Sequence, residues 1–140
     1  VKDHGSFKLL TANNGTNTVP VLDFGNVITN KSPTVVNIPN TINGISGITL
    51  VRECDHWYAF TISRLYQEVW RIDFGDTIPA SPLSVVDFGV TRSINGAYEI
   101  EIFNDGGKWY GFTLGFTICR INFGTTLNVN NPPVDNLGIA

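Results

Sequence analysis

The chain has 140 residues, of which 42% are hydrophobic and 15% charged, a composition that supports a domain with a buried core and argues against intrinsic disorder. The formal net charge of −3 provides no basic patch for nucleic acid, and no apolar run approaches the roughly 20 residues of a membrane-spanning helix. The first residues, VKDHGSF, lack the apolar centre of an export signal, so we expect such a signal to be absent or already removed.

The first predicted strands begin at Phe7. Strand B starts there, the NNG turn at residues 13–15 suits a hairpin because Asn and Gly accept positive φ, and strand C ends in the VLDFG word at residues 21–25. Only six residues precede Phe7. The sequence therefore predicts that this first copy lacks a strand A.

The central part of the chain predicts four strands, A to D, separated by Gly, Asn, Asp and Pro residues that favour turns. Their approximate ranges are residues 45–52, 57–63, 69–74 and 83–88. Within strand B, Tyr58, Phe60 and Ile62 alternate with smaller or more polar side chains, which indicates one face that is more apolar. No window shows helical periodicity, so we expect an all-β protein.

An internal repeat is the strongest signal in the sequence. A shift of 52 positions aligns residues 42–62 with residues 94–114 without a gap. A shift of 50 positions aligns residues 7–25 with residues 57–75. The period of about 50 residues lies in the range of β-propeller blades.

Four antiparallel strands per period describe a propeller blade better than a sandwich, which has no reason to repeat its sequence strand by strand. We predict an incomplete propeller of nearly three blades in one segment, residues 1–140. It would comprise a partial blade of strands B to D at residues 7–41 and two full blades at residues 42–93 and 94–140.

The RIDFG word at residues 71–75 contains the Asp-Phe-Gly of phosphate-handling active sites, and it returns as RINFG at residues 120–124. Kinase-type chemistry would also need a phosphate loop and a helical lobe. A motif that recurs once per structural repeat favours a structural role. In that role Phe packs inward, Gly turns the chain and Asp or Asn forms hydrogen bonds with nearby backbone.

Nearly three blades leave inner strand edges and blade faces open to water, whereas complete propellers usually have 4–8 blades. The chain is either an excerpt of a longer propeller or a subunit that assembles into a ring. Two A strands for three B–C–D sets favour the excerpt.

The spacing of WYGF, of RINFG and of the Leu, Pro and Leu-Gly positions that follow resembles β-propeller repeats in large secreted proteins of Bacteroidota. In the last copy it is carried by residues 109–112, 120–124, 127, 132 and 137–138. The first copy departs from the pattern, with Phe7-Lys8 in place of Trp-Tyr. The resemblance implies type IX secretion cargo or gliding-associated surface proteins, exported to the cell surface or beyond.

We expect a non-enzymatic recognition or adhesion module that binds a glycan or a protein, with other blades or a partner protein as its neighbours. Aromatic residues and arginines repeated once per blade are the candidate ligand contacts. They are Trp57, Tyr58, Arg71, Trp109, Tyr110 and Arg120. The alternative is that the aromatic rings wedge between blades and the arginines bind carboxylates or backbone carbonyls.

Two other functions stay open. The blades are alternatively a structural or assembly component that docks in a type IX secretion or gliding surface complex. They are alternatively part of a propeller hydrolase, which needs a pair of carboxylates. Glu99 and Glu101 form the acidic pair that suits this role, because alternation places both on one face of strand A.

We predict no cofactor and no metal site. A four-ligand zinc site needs clustered Cys and His residues. The sequence has two cysteines, Cys54 and Cys119, and two histidines, His4 and His56, which are not clustered in this way. The NDGGK stretch at residues 104–108 lacks the alternating ligands of a calcium loop. Whether the two thiols pair is left open by the sequence.

Overall fold

A computed structural model describes residues 1–38, 42–78, 81–90 and 94–139. Within these ranges the chain forms twelve β-strands and no helix, grouped into three four-stranded antiparallel sheets. In each sheet the strands follow one another in chain order as hairpin neighbours. The prediction of an all-β protein is confirmed, whereas the predicted repeat boundaries at residues 41 and 93 lie outside the described residues.

The first sheet has a fourth strand that the sequence did not predict. Its strands are β1 (Lys2–Asp3), β2 (Ser6–Leu10), β3 (Val19–Asp23) and β4 (Thr34–Ile38). The expectation that no strand A precedes Phe7 is wrong, because Lys2 pairs with Phe7 and Asp3 with Ser6. A turn of two residues suffices, since His4 and Gly5 have φ of 44° and 85°, as the tightest hairpins require.

The second and third sheets contain longer strands. In the second sheet these are β5 (Ile45–Glu53), β6 (His56–Ser63), β7 (Glu68–Gly75) and β8 (Ser84–Val90). In the third sheet they are β9 (Glu99–Asp105), β10 (Lys108–Leu114), β11 (Thr117–Gly124) and β12 (Val134–Ile139). The four strands predicted for the central copy coincide with β5 to β8 to within two residues at each end.

The sheets pack face to face in chain order, with a hydrophobic core on each side of the second sheet. Along β6, Tyr58, Phe60 and Ile62 join the core shared with the third sheet, whereas Trp57 and Ala59 join the core shared with the first. The predicted alternation is therefore present, but both faces of this strand are buried. A strand with one apolar face suits a sheet that has water on its other side. A strand with two apolar faces suits a sheet that lies between two other sheets.

The repeated Asp-Phe-Gly word is structural. Asp73 Oδ1 accepts a hydrogen bond from Gly75 N at 2.9 Å, and Asn122 Oδ1 accepts one from Gly124 N at 3.0 Å. Both glycines have positive φ, a conformation that residues with a Cβ rarely adopt. Phe74 and Phe123 are buried in the two cores, as the structural interpretation requires.

Carboxylates at the ends of first strands join successive sheets. Asp3 Oδ2, at the end of β1, accepts a hydrogen bond from Ile78 N of the second sheet at 2.9 Å. Glu53 Oε2, at the end of β5, accepts one from Leu127 N of the third sheet at 3.0 Å. The same contact thus recurs one repeat later, between a first strand and the loop that follows the third strand of the next sheet.

Candidate functional site

Three of the sequence-predicted contact residues are buried between sheets. Trp57 and Tyr58 are 7% and 3% exposed, and Arg71 is 2% exposed. Trp57 Nε1 donates a hydrogen bond to Asp3 Oδ1 at 3.0 Å. Burial raises the pKa of the Tyr58 phenol, with a further contribution from the nearby Asp73 carboxylate.

The Arg71 guanidinium is bound by the loop that follows β11. Its Nη1 donates to the carbonyl oxygens of Leu127 and Val129 at 2.7 and 2.8 Å, and its Nη2 donates to Asn128 Oδ1 at 3.0 Å. Its pKa lies below the ordinary value because burial disfavours the charge. The ring of Tyr58 lies 5.7 Å from the guanidinium carbon. This arginine joins the second sheet to the third.

The equivalent residues of the third sheet have different surroundings. Trp109 packs against the core between the second and third sheets, whereas Tyr110 and Arg120 line a shallow groove on the opposite, outer face. Arg120 Nη2 donates to Asp135 Oδ2 at 2.8 Å, an ion pair in which both side chains are about half exposed. The six predicted residues therefore lie in three separate places, between the first and second sheets, between the second and third sheets and on the outer face of the third, and do not form one site.

A different set of side chains does form a compact groove at the rim of the second sheet. Its volume is about 300 Å³. The residues that line it are Asn43, Tyr66, Glu68, Trp70 and Asp87. Two aromatic rings thus share the groove with two carboxylates and a carboxamide.

Local hydrogen bonds position this groove. In the β6–β7 turn, Gln67 N donates to Ser63 O at 2.8 Å and Tyr66 N donates to Ser63 Oγ at 3.3 Å. Ser63 Oγ in turn donates to Asn43 O at 2.5 Å. Gln67 has a φ of 58°, which closes the turn and leaves the Tyr66 side chain 50% exposed.

Register places the remaining groove residues side by side. Trp70 on β7 pairs with Asp87 on β8, so their side chains lie on the same face of the sheet. Trp70 Nε1 donates to Glu68 Oε2 at 3.2 Å, which holds the indole at the edge of the core shared with the first sheet. Asp87 Oδ1 also accepts a hydrogen bond from Gly89 N at 2.7 Å.

The groove combines aromatic surface with hydrogen-bond acceptors. A ligand with an apolar face and several hydroxyl donors fits such a surface, because aromatic rings cover its carbon atoms while carboxylates accept from its hydroxyls. Two carboxylates and no basic residue line the groove, which disfavours anionic ligands. Pyranose sugars without acidic groups have this combination of properties.

The repeat pattern does not predict this groove, because its aromatic residues are not among those that repeat. Trp70 aligns with Pro20 in the first copy and with Cys119 in the last, and Tyr66 aligns with Thr16. An aromatic residue that interrupts a repeat was the available signal, since the shared architecture does not require it.

The acidic pair on β9 lies in another cleft, of about 500 Å³, between the first strands of the second and third sheets. Glu101 Oε2 accepts a hydrogen bond from Thr49 Oγ1 at 3.4 Å, and the side chain of Glu99 is exposed. Ser46 Oγ in the same cleft donates to Ala97 O at 3.2 Å. Both carboxylates thus face an open, wet cleft.

The cysteines and histidines do not assemble into a metal centre. Cys54 is exposed in the β5–β6 turn, and Cys119 is fully buried in the core between the second and third sheets. Among the residues that the structure describes, no three His, Cys, Asp or Glu side chains are grouped as metal ligands. His56 stacks on Tyr58 with ring centroids 5.9 Å apart.

Comparison with known proteins adds no relative: no family model matches the chain, and neither a curated protein nor a solved structure matches it. In the described part of the chain, no helix has the length and apolar character needed to cross a membrane.

Proposed function

We propose that this chain contributes three propeller blades to a non-enzymatic recognition module outside the cell, and that the groove at Tyr66 and Trp70 binds a glycan. The observation that carries the proposal is the pairing of these two rings with Glu68, Asp87 and Asn43 in one groove. The extracellular location is supported by the resemblance of the WYGF and RINFG spacing to secreted propeller repeats.

The packing of the sheets supports the propeller. Three four-stranded sheets stack face to face in chain order, and the first strands of the second and third sheets, β5 and β9, lie next to each other. First strands that gather on one side are the arrangement that lines a propeller channel. The groove lies beside the exposed β6–β7 turn and includes Asp87 of the fourth strand.

Glycan screening on an array, followed by titration calorimetry with the best ligand, tests the proposal. We expect Tyr66→Ala to weaken binding about tenfold, because it removes one stacking ring. Tyr66→Phe retains the ring and should bind within about threefold of the unsubstituted chain. Leu83→Ala is the matched control, since Leu83 is 70% exposed and does not line the groove.

Two results would count against the glycan site. One is the absence of binding to every neutral glycan on the array. The other is a glycan that binds equally well to the Tyr66→Ala variant and to the unsubstituted chain. Either result would favour the assembly role over the glycan site, and the outer face of the third sheet supports that role because it exposes Phe103 and Leu114.

A further inference from the structure

The outer face of the third sheet carries the same kinds of residue as one face of the second sheet. That face of the second sheet is the one that packs against the third sheet. The alignment of the repeats pairs residues of the two sheets that have the same chemical character. The pairs are Glu53 with Asp105, Tyr58 with Tyr110, Phe60 with Phe112 and Arg71 with Arg120. In the second sheet each of these side chains contacts the third sheet or its loops.

Those contacts bury the second-sheet residues. Phe60 is fully buried, and its ring centroid lies 5.1 Å from that of Phe123 in the third sheet. Arg71 and Glu53 bind the loop around Leu127, the first through carbonyl oxygens and the second through the backbone N–H. We call the surface formed by Phe60, Arg71 and Glu53 a socket. It contacts both a loop and a face of the third sheet.

The third sheet presents the same socket without its occupant. Phe103, Asp105, Tyr110, Phe112 and Arg120 line an open groove of about 270 Å³. Phe103 is 54% exposed and packs edge-on against Phe112 with centroids 5.9 Å apart. Arg120 Nε is buried without a hydrogen-bond partner, as is Arg71 Nε in the second sheet, so the two arginines share this feature.

The first sheet carries exposed residues that correspond to those bound in the sockets. We call these residues, Ile28 and Leu9, the insert. Ile28 occupies the position of Ile78 and Leu127 in the loop after the third strand. Ile78 and Leu127 are 3% and 0% exposed in the sockets of the preceding sheets, whereas Ile28 is 62% exposed. Leu9, the counterpart of the fully buried Ala59, is 48% exposed on the same sheet.

We propose that the groove on the third sheet binds the first sheet of a second copy of this chain, and that two copies close a ring of six sheets. Socket and insert both belong to this chain, and each has the residues of an interface that already occurs within it. Such a head-to-tail contact closes into a ring when the rotation per sheet permits, and six blades lie within the usual range. This inference rests on the proposed propeller.

The structure also removes the objection that the strand count raised against ring assembly. Because β1 pairs with β2, each sheet has four strands, and two copies supply six complete sheets. The ring would have no unpaired first strand. It would cover the exposed apolar faces at both ends of the stack, which are unfavourable in water.

Analytical ultracentrifugation of the chain at micromolar concentration tests this inference. We expect a species of twice 15.4 kDa. Phe103→Asp in the socket and Ile28→Asp in the insert should each raise the dissociation constant at least about 100-fold, because a carboxylate would be buried in an apolar contact. Both positions are more than half exposed in one chain, so circular dichroism should show that each variant folds.

Mixing the two variants distinguishes a head-to-tail contact from a symmetric one. A mixed pair retains one intact socket with one intact insert, so we expect a heterodimer from two variants that are monomeric separately. Leu65→Asp is the matched control, because Leu65 is 71% exposed and lies on neither face. A chain that sediments as a monomer, or a dimer that survives both substitutions, would overturn the inference.

The glycan site and the ring can be rejected independently of each other. The glycan groove lies within one chain, so glycan binding by a monomeric protein would retain the recognition function and reject the ring.

Discussion

Arg71 and Arg120 show how one residue in one repeated word acquires two roles. Both occupy the first position of the five-residue word that ends the third strand of a sheet. Arg71 donates to three oxygen atoms of the next sheet and is 2% exposed. Arg120 has no further sheet beside it in the single chain and pairs with Asp135 at 2.8 Å.

Replacing Arg71 should therefore destabilise the protein much more than replacing Arg120. We expect Arg71→Met to lower the free energy of unfolding by about 3 kcal/mol, because the carbonyl groups of Leu127 and Val129 lose their donor while remaining buried. Arg120→Met should lower it by less than about 1 kcal/mol, since exposed ion pairs contribute little. Urea titrations of the two variants in the monomeric Phe103→Asp background measure both changes in the free energy of unfolding. Equal losses for Arg71→Met and Arg120→Met would contradict the different roles of the two arginines.

Asp3 is a second residue whose role depends on its surroundings, and it makes stability depend on pH. Burial raises its pKa, but hydrogen bonds from Ile78 N, from the His4 ring and from the Trp57 indole together lower it below the ordinary value of 3.8. Because the folded-state pKa is below the unfolded-state value, the ionised carboxylate stabilises the fold above about pH 4. This contribution is lost as the pH falls through the folded-state pKa.

Asp3→Asn should consequently lower the free energy of unfolding at pH 7 by about 1–2 kcal/mol, because an amide offers one acceptor atom where the carboxylate offers two. The difference from wild type should shrink as the pH falls below about 4. Urea titrations across this pH range measure it. Asp55→Asn is the control, since its side chain is 92% exposed, and a difference that grows in acid would contradict the prediction.

At the scale of elements, the second and third sheets approach closely where their first strands meet. A Cβ added to Gly47 on β5 would lie 2.5 Å from Tyr98 O and 2.9 Å from Glu99 Cα. Backbone atoms cannot move away as a flexible side chain does. Thr61 Oγ1 also donates to Gly47 O at 2.7 Å from within the sheet, so β5 has little room to shift.

Gly47→Ala should therefore separate β5 from β9 and lower the free energy of unfolding by about 2–3 kcal/mol through overpacking. Gly15→Ala is the matched control, because its new methyl group would meet only Asn13 Oδ1 at an ordinary 3.5 Å. Thermal unfolding followed by circular dichroism compares the two variants. A Gly47→Ala melting temperature equal to that of Gly15→Ala would show that the strands can adjust.

Strands and turns were largely predictable from local patterns. The bounds of β5 to β8 follow from β-branched and aromatic runs between turn residues. The strand β1 was missed because two residues are too few for a periodic pattern, and its pairing depends on the His4–Gly5 turn. The role of the DFG words was also predictable, since repetition marks a structural requirement.

At the scale of the whole molecule, the second sheet has the greatest burial because a sheet lies on each of its faces. Val69 on β7 belongs to one core, and Ile72 on the same strand belongs to the other. The first and third sheets have one such neighbour within the chain. Regions with buried faces on both sides open least often.

Hydrogen exchange followed by mass spectrometry should detect this difference in the monomeric Phe103→Asp background. We expect amides of β6 and β7 to exchange slowest, and those of β2, β3 and β12 to exchange faster. In the proposed dimer the amides of β10 and β11 should gain protection, because the second copy would cover them. Uniform exchange across the three sheets would contradict the unequal burial.

Only part of the candidate groove could be predicted from the sequence. Tyr66 and Trp70 were visible as aromatic residues that interrupt the repeat, but their proximity to Asn43 and Asp87 depends on strand register and on a turn closed by Gln67. Tyr66 and Trp70 lie 17 to 27 positions from Asn43 and Asp87 in the chain, so these residues meet only after the sheet has formed. No local pattern contains that information.

Local sequence patterns predict the repeat, the turn motifs and the strands other than β1, because period-two alternation and turn chemistry act between neighbouring residues. Which of the repeated side chains are buried and which are exposed depends on the packing of the sheets. Arg71 and Arg120 occupy equivalent positions in the repeat, as do Ile28 and Ile78, yet one member of each pair is buried and the other is exposed to water. The physical reason is that burial depends on whether another sheet lies beyond the side chain, and this depends on the position of the repeat in the stack.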